Sequence, residues 1–149
     1  MPDGRVRSGI MTTIQGLKFN HVAFRVRDFD ASIRWYGDAF GATEAFRANQ
    51  DDGAPQLVYL ELAHGQFVEL FPNGKNPIEQ PHDPIGYGHY CLTVANLDAA
   101  LAHLKTLGVE PVSSPRTGRA GQRLVFIADP DGNRIELMEI PTDSPIFRG

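Results

Sequence analysis

Apolar and polar residues alternate through His21-Val22-Ala23-Phe24-Arg25-Val26, the period-two pattern of a strand with one face on a core. Val22, Phe24 and Val26 would point into that core, and His21 and Arg25 would share the opposite face. Asp28 or Asp30 then caps a predicted helix in which Phe29, Ile33, Tyr36 and Phe40 recur at helical spacing and Gly41 ends the run. Thr43 to Arg47, Gln56 to Ala63 and Gln66 to Phe71 read as strands, the last two joined at His64-Gly65. From Pro72 to Gly86 the text changes. Pro72, Asn73, Gly74, Pro77, Pro81 and Pro84 predict a linker without regular structure.

The second half repeats the first. Tyr90, Leu92 and Val94 alternate with His89, Cys91 and Thr93; Asn96 caps a helix striped by Leu97, Leu101, Leu104 and Leu107 and ended by Gly108. Asp131-Gly132 takes the place of the His64-Gly65 turn, with Leu124 to Ala128 and Asn133 to Ile140 as the flanking strands. Each half therefore reads as strand, helix, then three strands. Neither half buries enough apolar surface to stand alone, so two modules packed or paired through their sheets are expected. The resulting division is a tail over 1–16, a first module over 17–72, a linker over 73–86, a second module over 87–140 and a tail over 141–149. With the helices on the Val22, Phe24 and Val26 side, the opposite, concave faces line a cleft between the modules.

Composition narrows the function classes. With 149 residues, 42% apolar and 21% charged, the chain is an ordinary globular protein, and no apolar run is long enough for a membrane span or a signal peptide. A net charge of −4 with no basic stripe argues against a nucleic-acid partner. The single cysteine, Cys91, rules out an internal disulfide and makes a reducing cytoplasm the expected location. Met11 is a possible natural start.

The repeat also duplicates chemistry. Glu69 follows His21 by 48 residues and Glu136 follows His89 by 47, each in an apolar strand-like run. Two imidazoles and two carboxylates balance a divalent cation and leave positions open for substrate. Taken one at a time, each residue is equally well a hydrogen-bonded strand histidine or a solvent-facing strand glutamate; taken as a set related by the repeat, they point to metal. His64, His82 and His103, in a turn, the linker and a helix flank, read as structural or solvated. Phe67, Phe71, Cys91, Thr93 and Met138 share strand parity with the four, which predicts an apolar-walled cleft with Cys91 as a small core or wall residue.

The segments His21-x-x-x-Arg25-Val26, Glu69-Leu70, Gly88-His89 and Asp129-Pro130-Asp131-Gly132-Asn133-Arg134-Ile135-Glu136-Leu137 resemble the vicinal oxygen chelate (glyoxalase/bleomycin resistance/dioxygenase) superfamily over about residues 17 to 140. Within it they look most like glyoxalase I. The resemblance implies an α+β fold, two βαβββ modules forming a glyoxalase-type cleft between curved mixed sheets. It implies one divalent metal per site (nickel, cobalt, zinc, manganese or iron) held by His21, Glu69, His89 and Glu136. Arg25 and Asn73 fall where glyoxalase I contacts the γ-glutamyl end of glutathione, a possible cosubstrate. The implied reaction is proton abstraction next to a carbonyl by Glu136, with Glu69 as its pseudo-symmetric partner, and stabilisation of the enediolate by the cation. The candidate small-molecule substrate is the hemithioacetal of methylglyoxal and glutathione. Ile85 departs from the pattern, since animal enzymes carry a basic residue there for the glycyl carboxylate. Arg116 and Arg119, in the loop to Gln122, are its possible substitutes. An acyl-CoA or keto-sugar epimerase, and a non-catalytic antibiotic-binding protein, are the alternatives. A homodimer is the family expectation, with the site completed within one chain or across two.

Overall fold

The computed structural model describes residues 14–77 and 85–148. Most of the N-terminal tail with Met11, and the linker residues Pro81, His82 and Pro84, lie outside the described residues. The first module runs β1 (His21–Arg25), α1 (Phe29–Phe40), β2 (Thr43–Asn49), β3 (Pro55–Ala63) and β4 (Gln66–Phe71). The second runs β5 (Tyr90–Thr93), α2 (Leu97–Thr106), β6 (Arg116–Thr117), β7 (Arg123–Ala128) and β8 (Arg134–Glu139). Each makes a four-stranded mixed sheet, ordered β1-β4-β3-β2 and β5-β8-β7-β6. The expected α+β class with two βαβββ modules is what the chain adopts.

Local chemistry explains the elements. Of the two candidate caps of α1, Asp28 is the one used: its carboxylate accepts from the Ala31 amide, satisfying a donor the helix cannot. Gly41 closes the helix with φ 69°, a left-handed value that costs glycine nothing. Asn96 caps α2 in the same way through Ala99. The buried face of α1 is rotated slightly from the expected stripe: Phe29 and Tyr36 are buried with Ser32 and Ala39, while Ile33 and Phe40 are half-buried. Two small residues let the helix lie close on its sheet. In α2 the stripe stops short, because the helix ends at Thr106 and leaves Leu107 largely exposed.

The repeat is least exact at the outer strand. β2 has seven residues and β6 only two. Pro111 and Pro115 lack amide donors for a ladder, and the chain between them reaches β7 irregularly, Val112 donating to the Phe126 carbonyl at 2.8 Å and Ser113 Oγ accepting from the Phe126 amide at 2.9 Å.

One core spans both modules, joining Phe24, Tyr36, Leu60 and Leu70 to Leu97, Leu104, Ile127 and Leu137. A buried polar cluster ties them further. Asp129, at the end of β7, accepts from the Tyr36 hydroxyl of α1 at 2.9 Å, from Asn133 Nδ2 at 2.8 Å, and from the Asp131 and Asn133 amides. Tyr90 adds its hydroxyl to Tyr36 at 3.3 Å. Burial, chiefly, with Tyr90 and Asp129 next, holds the Tyr36 hydroxyl protonated well above the usual tyrosine range, so it donates across the pH range in which the protein is handled. His103, read as structural or solvated on a helix flank, is structural: it bridges the modules, its Nε2 lying 2.8 Å from the Asp38 carbonyl of α1.

Asp129→Ala would leave the Tyr36 hydroxyl and two backbone amides without their acceptor in the interior, at a cost of about 3 kcal/mol. Urea denaturation should show this as a lowered midpoint with an unchanged slope; a midpoint equal to wild type would show that the cluster contributes nothing to stability.

Candidate functional site

The parallel ladder between β1 and β4 pairs His21 with Phe67 and Ala23 with Glu69, which puts His21 and Glu69 on the same face one diagonal step apart. Their Nε2 and Oε2 atoms approach to 3.3 Å. The other imidazole nitrogen of His21, Nδ1, lies 2.8 Å from Asn20 Oδ1. When Nδ1 donates to that oxygen, Nε2 turns a lone pair toward a carboxylate that is only 7% exposed, an arrangement that either a second proton or a cation satisfies. Around the pair the face is aromatic. Tyr59 stands directly across the β3–β4 ladder from Glu69 and meets the His21 ring edge-on with centroids 5.4 Å apart. Hydrogen bonding to Glu69, then burial, raises the Tyr59 pKa.

The second module repeats the geometry. β5 and β8 pair Cys91 with Glu136 and Tyr90 with Ile135, and His89 Nε2 lies 2.8 Å from Glu136 Oε2. Phe126 takes the place of Tyr59, opposite Glu136, with its ring 4.9 Å from that of His89. Phe67, Phe71 and Met138 lie half-buried on these faces, and Cys91 and Thr93 are exposed on them. Cys91 is thus a wall residue and no part of the core.

Each half brings one imidazole nitrogen and one carboxylate together, and the donor types suit a borderline divalent ion. The four do not converge within one chain. Among the described residues no three His, Cys, Asp or Glu side chains lie close enough to share a cation. β1 and β5, which carry or adjoin the histidines, are both free edges of their sheets. A concavity of about 850 Å³ follows the β5 edge between α1 and α2; Cys91 and Thr93 line it, and none of the four residues of the pairs does.

Comparison with known proteins places this geometry. Residues 18–137 match the Glyoxalase/Bleomycin resistance protein/Dioxygenase superfamily. The chain belongs to that superfamily. It is similar to a lactoylglutathione lyase of Pseudomonas aeruginosa, 28% identical with 88% of this chain and 87% of the relative covered. It is also similar to an ethylmalonyl-CoA/methylmalonyl-CoA epimerase of Cereibacter sphaeroides, 27% identical over 83% of this chain and 98% of the relative. The crystal structure of a glyoxalase family protein from Enterococcus faecalis shares the fold, with a TM-score of 0.70 and 23% identity over 82% of this chain and 97% of its own.

Within this superfamily member, Arg25 ends β1 with the strand parity of His21, and Asn73 follows the end of β4 beside Arg27, Phe29 and Pro55. The Arg25 guanidinium lies 5.6 Å from the Phe71 ring centroid and donates to the Pro72 carbonyl at 2.7 Å. Asn73 is the one described residue other than glycine with positive φ, 67°, a value asparagine tolerates better than most residues. It turns the chain so that the Gly74 amide can reach the Val26 carbonyl at 2.8 Å. A side chain at Gly74 would meet the Val26 backbone at 3.0 Å. Both residues therefore have structural employment. Ile85 is fully exposed. Of its possible substitutes, Arg116 begins β6 and Arg119 lies in the turn before β7. The aromatic partners Tyr59 and Phe126 were missed in the sequence, though a signal was there: Tyr59 and Glu69 are equidistant from His64, as Phe126 and Glu136 are from Asp131.

Cys91, beside Glu136 in the β5–β8 ladder, is not primed as a nucleophile. The crowding of the sheet around it, and next the Glu136 carboxylate, push its thiol up to about 12. Below that value the thiolate, the reactive form, is scarce. Alkylation of Cys91 by iodoacetamide should therefore be far slower near neutral pH than for a free thiol and accelerate only in strong alkali; a rate at neutral pH equal to that of free cysteine would contradict this assignment.

Proposed function

We propose that the protein is a metal-dependent isomerase or lyase of the glyoxalase I type, acting on the hemithioacetal of methylglyoxal and glutathione, with each site assembled by two chains. The observation that carries this reading is the recurrence of an interacting His–Glu pair at the same strand positions of both modules. One pair is too few ligands for a divalent ion and two are enough. Because the pairs stay apart in a single chain while the β1 and β5 edges lie open, the reading brings the His21–Glu69 face of one protomer against the His89–Glu136 face of its partner. A twofold dimer of this kind holds two equivalent sites. The similarity to a lactoylglutathione lyase supports the choice of substrate.

His21, Glu69, His89 and Glu136 would hold a divalent cation, which would supply Lewis-acid stabilisation of charge developing on substrate oxygen. The chain supplies the rest. His21 is held in orientation by Asn20. A carboxylate oxygen of Glu136 takes the proton from the carbon next to the carbonyl and returns it to the neighbouring carbon, with Glu69 as its counterpart on the other face. Phe67, Phe71 and Met138 exclude water around the reacting carbons, and Arg25 with Asn73 holds the γ-glutamyl end of glutathione.

The second reading keeps this proton transfer and changes the substrate to an acyl-CoA. It is favoured by the similarity to an ethylmalonyl-CoA/methylmalonyl-CoA epimerase and by Ile85 standing where a basic residue would hold glutathione. Exchange of solvent deuterium into methylmalonyl-CoA, with no turnover of the hemithioacetal, is the result that selects it.

Subunit complementation tests the shared site. A His21→Ala, Glu69→Ala chain and a His89→Ala, Glu136→Ala chain should each be inactive and bind no metal. Mixed and reassorted, they should regain about a quarter of wild-type activity and metal content, because half of the dimers are mixed and each mixed dimer holds one intact site. No recovery on mixing would overturn the two-chain site.

Glu136→Gln tests the base. The variant should lose on the order of 10²- to 10⁴-fold in kcat while its circular dichroism stays that of wild type. Undiminished turnover would remove Glu136 from that role.

A further inference from the structure

The two faces are equivalent in their His–Glu pairs and unequal beside them. Next to His21 in the β1–β4 ladder stands Phe67. The matching place in the second module, two residues before Glu136 on β8, holds Arg134. Arg134 shares the face of Glu136, being two residues away on the same strand, and it lies across from Ala128 on β7. Its guanidinium is spread over the Phe126 ring at 4.4 Å from the centroid, and the other neighbour of that ring is the imidazole of His89, at 4.9 Å. A cation, an aromatic ring and an imidazole are thus in one row beside the His89–Glu136 pair.

Arg134 is exposed and makes no ion pair with any carboxylate among the described residues, whereas Arg47 is engaged by Glu44 and Arg123 by Asp98 and Glu139. Stacking on Phe126 restricts the flexible stem, and the exposed guanidinium keeps its N–H groups accessible on the face of Glu136. A planar donor fork of this kind matches a carboxylate in two parallel hydrogen bonds. No strand of the fold needs the charge, and the equivalent position in the first module does without it.

We infer that Arg134 is an anion subsite of the second face, binding a carboxylate of the substrate and setting the substrate's orientation relative to Glu136. The inference rests on reading the His89–Glu136 pair as half of the reaction site, and it gives the proposed substrate class a requirement, a free carboxylate within reach of the reacting carbon. Arg134 is a specificity residue in this scheme. The first face carries Phe67, an apolar ring and not a cation, in that place, with Tyr59 across from Glu69.

The test uses succinate as the carboxylate and succinamide as its neutral counterpart, so it does not depend on turnover. Arginine Nε–Hε resonances of the full chain are followed by NMR as each is added, the Arg134 resonance being identified by its loss in Arg134→Lys. Succinate should shift that resonance saturably, and succinamide should not. In the variants, which lack that resonance, binding is followed through the backbone amides of Phe126 and Glu136: Arg134→Met should weaken succinate binding on the order of ten- to hundredfold, and Arg134→Lys should restore part of it, since a lysine keeps the charge and loses the fork. No saturable binding by wild type, equal binding by Arg134→Met, or equal shifts of Arg119 and Arg134 would overturn the inference. The complementation experiment fails separately, on metal content, if the shared site itself is wrong.

Discussion

In each module a parallel ladder joins the first strand to the last, β1 to β4 and β5 to β8, so that the chain passes through a helix and two further strands and returns beside its own start. A parallel pair requires such a crossover, and here the crossover separates a histidine from a glutamate by nearly a whole module in sequence while leaving them adjacent in space. Register does the rest. A slip of one residue in either ladder would turn the glutamate to the core side of the sheet and carry an apolar neighbour out. The register is fixed because the alternate residues Val22, Phe24, Val68 and Leu70, and likewise Ile135 and Leu137, are drawn into a common core. The polar pair faces the cleft because its neighbours are held on the other side.

That core belongs to both modules at once, which ties the two faces to one another. Tyr36 on α1 of the first module is bound to Asp129 at the turn of the second, and Asp129 in turn holds the amides that shape the β7–β8 hairpin. A buried carboxylate is tolerated only where its oxygens are occupied, and here donors from both modules occupy them. The same hairpin sets where Arg134 and Glu136 emerge. Interface and cleft are therefore not independent: the hydroxyl that docks α1 also anchors the turn leading into the strand that carries the second glutamate.

Much of this was legible in the residues themselves. The period-two alternation of β1 and β5 gave the face of each histidine, and the caps Asp28 and Asn96 gave the starts of both helices, because short-range chemistry decides these features within a few residues. The repeat then supplied the pairing of distant segments. What stayed hidden depends on non-local contact. The Tyr36–Asp129 cluster looked like a helix residue and a piece of hairpin chemistry, since nothing in either segment indicates that they meet across the modules. The contact of His103 with Asp38 was hidden for the same reason. β6 shrank because Pro111 and Pro115 outweighed the symmetry of the repeat. The separation of the two His–Glu pairs within one chain was equally invisible, because strand parity places a side chain on a face and says nothing about which face lies opposite.

Duplication alone would leave two equal half-sites, and equal halves are poorly suited to an unsymmetrical substrate. A molecule bound between two identical faces has two orientations of equal energy, of which one presents the reacting carbon wrongly. The chain keeps the imidazole and the carboxylate in both modules and changes what surrounds them. Tyr59 and Phe67 flank the first pair; Phe126 and Arg134 flank the second. The first glutamate stands opposite a tyrosine, whose pKa it raises, and the second stands opposite a phenylalanine with no hydroxyl. The His–Glu contacts differ as well, 3.3 Å in the first module and 2.8 Å in the second, so the two carboxylates are not held alike. The asymmetry of the neighbours, rather than that of the ligands, is what gives a duplicated fold a direction for its chemistry.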